Sequence, residues 1–145
     1  MQVERQVVLR GVDALHAILL SFPIALFTAA LVTDIAYLNT AQVQWTNFSA
    51  WLITGALFFG GLVAAWALVW ALLSLKSPRM ISRWVYFGLL AGMWVLGLIN
   101  AFKHSQDAWS SVGAFGLFLS ILCTILAMAA GAVLHFGFWT REVDQ

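Results

Sequence analysis

Charged residues divide this chain into long oily stretches. No Asp, Glu, Lys or Arg falls in 14–33, 35–75, 84–102 or 108–140. A helix that crosses a bilayer needs about 20 apolar residues. The stretch 35–75 is roughly twice that length, so it must be broken, and the polar run NTAQVQWTN at 39–47 supplies the break. The pattern predicts four helices, near 14–37, 48–75, 80–102 and 112–139. In lipid every backbone amide needs an internal partner, which leaves helices or a closed barrel. Runs this long without period-2 alternation exclude the barrel.

Local signals fit these bounds. Thr46 or Asn47 can cap the second helix, and in KSPRM Ser77 can cap the third with Pro78 at its first position. Ser110 or Ser111 can start the fourth. Short connections make successive helices antiparallel neighbours. The expected fold is all-α, an integral-membrane four-helix antiparallel bundle forming one transmembrane domain over 1–145.

Composition agrees. Of 145 residues, 63% are hydrophobic and 9% charged, against about a quarter charged in soluble domains. The formal charge of +1 offers no basic stripe for nucleic acid. The lone Cys123 sits in an apolar run and forms no internal disulfide. The first oily stretch is longer than a signal-peptide core and lacks a clear cleavage site, so it is read as a retained span.

Arg5, Arg10, Lys76, Arg79, Arg83 and Arg141 fall on one side of this layout and Lys103 on the other. The bias places both termini in the cytoplasm. Trp84 and Trp139 then belong to the inner interface and Trp45 and Trp109 to the outer, while Trp66, Trp70 and Trp94 pack within or against the bundle. Small-residue lines, Ala56–Gly60–Ala64, Gly88–Gly92 and Ala127–Gly131, allow close helix approach.

The candidate chemistry is sparse. Pro23 cannot donate to the carbonyl of Leu19 and should kink the first helix, with Ser21 and Thr28 available to satisfy backbone groups nearby. His16 and His135 fall at similar depth on the first and last helices, near the inner face. Ala127, Gly131 and His135 share one face, a smooth surface ending in an imidazole. Asp13, three residues before His16, can hold its other ring nitrogen. This arrangement suits one b-type haem between His16 and His135, with Asp13 behind His16. The alternative places both rings at the headgroup boundary, where a half-polar ring is comfortable.

Asp34 lies 18 residues beyond His16, about 27 Å along a helix at ~1.5 Å per residue. That depth assigns Asp34 to the outer interface with Lys103, His104 and Asp107. An Asp34–Lys103 ion pair, or a small metal or proton site at His104 and Asp107, can form there; solvated interface charges are the favoured reading. Asn100 is read as a helix–helix hydrogen bond.

In the stretch LHAILLSFPIALFTAALVTDIAYL, the residues His16, Phe22, Pro23, Ile24, Ala25, Leu26 and Asp34 carry a resemblance. The chain resembles an uncharacterised bacterial four-helix membrane-protein family, a domain of unknown function, whose first helix reads roughly His-Pro-x-x-x-His-Phe-Pro-Ile-Ala-Leu, followed by an aspartate. Ala17 stands at its proline and Ser21 at its second histidine. The resemblance implies a bacterial inner-membrane protein and no established chemistry.

No phosphate-binding loop, HExxH or nucleophile elbow is present, and no independent catalytic activity is expected. The reading is an accessory or anchor subunit of a membrane complex, with a haem electron carrier between a partner and quinone as its sharper form. The alternative is a cofactor-free scaffold. A small transporter is weaker, because no buried charge pair is expected. Lipid and other membrane subunits are the expected partners, and an oligomer is compatible with the small-residue faces.

Overall fold

A computed structural model describes residues 2–106 and 112–142, with side chains at 13–106 and 112–135. Among the described residues there are four helices: α1 (Gln2–Thr40), α2 (Val43–Leu73), α3 (Met80–His104) and α4 (Ala114–Glu142). All four are long and apolar enough to cross a membrane. Each packs on its two neighbours, α1 on α2 and α4, and α3 on α2 and α4. Among the described residues the diagonal pairs make no close backbone approach.

The connections differ from expectation. The polar run at 39–47 is almost wholly helical, and only residues 41 and 42 lie outside the helices. Ala41 turns the chain with φ 54°, the left-handed region, while its amide donates to Tyr37 O at 2.7 Å. This is the helix-ending bond that usually calls for glycine. One such residue reverses the chain, so Asn, Gln and Thr need not form a loop. Thr46 and Asn47 therefore lie inside α2 and not at its cap position, which Gln42 occupies without a side-chain bond; Thr46 is buried. Ser77 acts earlier than expected. Its hydroxyl accepts the Arg79 amide at 3.3 Å and its carbonyl the Met80 amide at 3.0 Å, so helix α3 starts after Pro78 and Arg79. Ser110 and Ser111 lie outside the described residues. Arg83 Nη1 donates to Trp70 O at 3.2 Å, tying α3 to the last turn of α2, where carbonyls lack helical partners and the dipole favours a cation.

The core runs along one seam per helix. On α1 it holds His16, Leu20, Pro23, Phe27, Ala30 and Asp34, and on α3 Tyr86, Leu90, Met93, Gly97, Asn100 and His104, all buried. Steps of four and three alternate, the 3.5-residue period of left-handed helix packing. The middle of the seam is apolar and tight. A Cβ at Gly97 would come within 2.8 Å of Phe27 Cζ, and one at Gly60 within 3.0 Å of Met93 Cε. Trp94 lies over Gly61 and donates from Nε1 to Leu57 O at 3.1 Å. Gly88 by contrast faces open space. The hydroxyls of Ser21 and Thr28 bond Ile18 O and Ile24 O, rather than the carbonyl of Leu19 opposite buried Pro23.

Candidate functional site

Polar chemistry sits at the two ends of this seam. Both clusters cross the bundle diagonal from α1 to α3, which only side chains can bridge.

At the end nearer the termini, His16 is fully buried and its Nε2 lies 2.8 Å from the Tyr86 hydroxyl. Trp70 and Trp66 flank the ring, with centroids 4.6 and 5.3 Å away. Nδ1 is buried with no partner. Neither nitrogen is bonded to Asp13: Tyr86 takes one and the other is unpartnered. His135 is exposed on α4. His16 is thus enclosed by α2 and α3 residues, and the two histidines occupy different surroundings. The small surface at Gly131 is filled by Ile24 of α1, whose Cδ1 would lie 3.0 Å from an added Cβ.

At the other end lies a cluster that corrects the sequence-based reading. Asp34 is 0% exposed, and its Oδ1 is 2.9 Å from His104 Nε2. Ser120 of α4 donates to Oδ2 at 2.5 Å. Asn100 Nδ2 donates to Ser120 Oγ at 2.8 Å, which bears out the helix–helix role of Asn100. His104 Nδ1 lies 2.9 Å from Asn100 O. Asp34 and His104 are therefore not solvated interface charges. Lys103 does not reach Asp34; its ammonium donates to Gln106 Oε1 at 2.9 Å. Asp107 lies outside the described residues. The sequence led to the expectation of no buried charge pair; Asp34 and His104 form a buried, hydrogen-bonded pair of ionisable side chains. The error was to let depth decide environment. Eighteen residues make five full turns at ~3.6 per turn, so Asp34 returns to the seam that holds His16.

The hydrogen-bond partners fix the proton count. A backbone carbonyl only accepts, so His104 Nδ1 carries a proton for Asn100 O. Nε2 and Oδ1 then share one more. The pair is either imidazolium with carboxylate or imidazole with carboxylic acid, and is neutral in sum either way. A second loss would set a nitrogen lone pair against a buried carboxylate. Ser120 has one proton, and Asp34 Oδ2 takes it, so Asn100 must present its NH2 to Ser120. Asn100 Oδ1 is left buried without a partner. His104 also borders an open cleft of about 360 Å³, lined with Val43, Gln44, Thr46, Asn47, Ala50 and Gln106.

Sequence reasoning missed Tyr86, Trp66, Trp70 and Ser120 as partners. The available signal was the repeated 18-residue spacing, His16 to Asp34 and Tyr86 to His104, which puts polar residues on one seam of each helix.

Long helices that are apolar outside and carry their buried polar pairs inside define a multi-pass, four-helix membrane protein. The chain belongs to the family described as "Predicted membrane protein (DUF2231)", which matches residues 12–138. No curated protein and no solved structure matches it.

Proposed function

We propose that this protein is an accessory or anchor subunit of a complex in the bacterial inner membrane, with both termini cytoplasmic and the Asp34–His104 dyad as its working group on the outer side. The carrying observation is the dyad itself: a proton-sharing pair, buried between α1 and α3, tied to α4 and bordering an open cleft. Ionisable groups inside a bundle are costly and mark function by default. Between the dyad and His16 the seam is closed by Leu20, Phe27, Leu90 and Met93, each 0–2% exposed. That favours a site worked from one face over passage through the bundle. Solubilised in mild detergent from native membranes, the chain should run in a discrete assembly with a stoichiometric second subunit. Migration as a lone 16.0 kDa chain in its micelle would overturn the subunit reading.

A second reading makes the subunit a carrier of one b-type haem, held by His16 and His135, passing electrons towards quinone. The unpartnered Nδ1 of His16 favours it. Ligation through that nitrogen leaves the Nε2–Tyr86 contact in place and requires the two imidazoles to approach one another. A Soret band lost in both His16→Ala and His135→Ala, and kept in His104→Ala, is the expected result. Protein from haem-replete cells without that band ends this reading and leaves the first intact.

A further inference from the structure

We propose that the connection between α2 and α3 is a binding site for an anionic phospholipid, its phosphate held by Lys76, Arg79 and Arg83 and its acyl chains lying on Leu73, Leu75 and Ile81. The proposal depends on neither the subunit reading nor the haem reading.

Unbalanced charge is the first support. Between Asp34 and Asp107 the chain holds no Asp or Glu, yet Lys76, Arg79 and Arg83 follow one another closely in LKSPRMISR. The Arg83 amide donates to Arg79 O at 3.2 Å, which closes one helical turn and sets the two arginines four apart on one face. Like charges at that spacing repel. Among the described residues none of the three cations has an ion-pair partner. An anion from outside the chain would relieve the repulsion. Arg83 is already held in place by its Nη1 bond to Trp70 O at 3.2 Å. That bond uses one donor of a planar fork whose N–H groups match phosphate oxygens.

Depth is the second support. Helix α2 has 31 residues, about 46 Å at ~1.5 Å per residue, against ~30 Å of hydrocarbon. Its ends therefore reach the headgroup layers, and the connection to α3 lies in one of them.

The third support is apolar exposure in that same layer. Leu73 and Ile81 are 79% and 72% exposed, and Leu75 is exposed as well. Cations and hydrocarbon contact are thus offered together within one short connection. A molecule with an anionic head on an apolar tail answers both. A free anion answers only the first, and a zwitterionic lipid carries its own ammonium beside its phosphate.

The test places the full chain in phosphatidylcholine vesicles with a trace of spin-labelled phosphatidylglycerol or spin-labelled phosphatidylcholine. The motionally restricted part of the EPR spectrum gives the relative association of each lipid. Each Lys or Arg near an anionic headgroup strengthens binding about fivefold, so phosphatidylglycerol should be preferred at least about fivefold. In Lys76→Gln/Arg79→Gln the preference should fall to within about twofold. Lys76→Arg/Arg79→Lys keeps the charges and should keep the preference. Both positions are exposed, so these variants should fold, which helical circular dichroism checks. Arg5→Gln/Arg10→Gln removes the same charge elsewhere and should leave most of the preference. Inorganic phosphate, set against chloride at equal ionic strength, should not displace the lipid, because it has no acyl chain for Leu73, Leu75 and Ile81. The proposal is overturned by absence of a phosphatidylglycerol preference, by an equal loss in Arg5→Gln/Arg10→Gln, or by displacement with inorganic phosphate. It is overturned too if Lys76→Gln/Arg79→Gln leaves lipid selectivity intact and instead detaches a protein subunit in native membranes, which would assign the connection to a protein contact.

Discussion

Replacing Asp34 and His104 singly and together measures what the dyad contributes. Asp34→Val removes the acceptor of two bonds, from His104 Nε2 at 2.9 Å and Ser120 Oγ at 2.5 Å. One buried donor on each of two side chains, His104 Nε2 and the Ser120 hydroxyl, at 6% and 0% residue exposure, then loses its acceptor. Each such orphan costs about 1–3 kcal/mol, so the sum is near the ~3–5 kcal/mol seen when one member of a buried pair is removed. His104→Leu leaves Oδ1 of Asp34 facing hydrocarbon and should cost a similar amount. In the double variant neither orphan of the pair remains, and only the Ser120 hydroxyl lacks its acceptor, at about 1–2 kcal/mol. The double variant should therefore be more stable than either single. Single hydrogen bonds between membrane helices have coupling energies up to about 1.7 kcal/mol; a proton-sharing pair with a second partner should exceed that, at about 2 kcal/mol or more. Reversible unfolding in mixed micelles with rising SDS fraction, followed by helical circular dichroism, reads all four proteins. Costs that add within ~0.5 kcal/mol would show that the pair is not coupled and would refute the proton-sharing argument.

Other consequences follow from particular contacts. Ala41→Gly relieves the left-handed turn at φ 54° and should stabilise the protein by about 1 kcal/mol; an unchanged midpoint in the same assay would count against strain there. Gly97→Ala puts a Cβ within 2.8 Å of Phe27 Cζ and 3.1 Å of Leu57 Cδ2, and should cost about 1–3 kcal/mol by overpacking, with partial recovery in Gly97→Ala/Phe27→Leu. Tyr86→Phe leaves His16 with both nitrogens unpartnered and should cost about 1–3 kcal/mol. Adding His16→Leu should then cost little more, and a large further loss would mean that His16 is held by something other than Tyr86.

Four spans, their order and their antiparallel course were legible in the chain, because lipid demands about 20 uncharged residues per crossing and charges mark where each crossing ends. The seam was not legible. In water the buried face of a helix is marked by its apolar residues, but here the lipid-facing side is apolar too: Trp51 and Phe58 are 72% and 65% exposed, while Phe27 and Ile53 are buried. Hydropathy cannot separate those two faces. Only the polar exceptions can, and His16 and Asp34 were read by depth instead of by rotation about the axis. Tertiary structure decided the rest. The two-residue turn at 41 and 42 set how α1 meets α2, and α1 and α3 came to stand diagonally at a register of 70 residues, which pairs His16 with Tyr86 and Asp34 with His104. That register depends on how Phe27 fits over Gly97 and how Met93 lies over Gly60. Such shape fitting is absent from any single helix, because a close contact requires both surfaces to be in place.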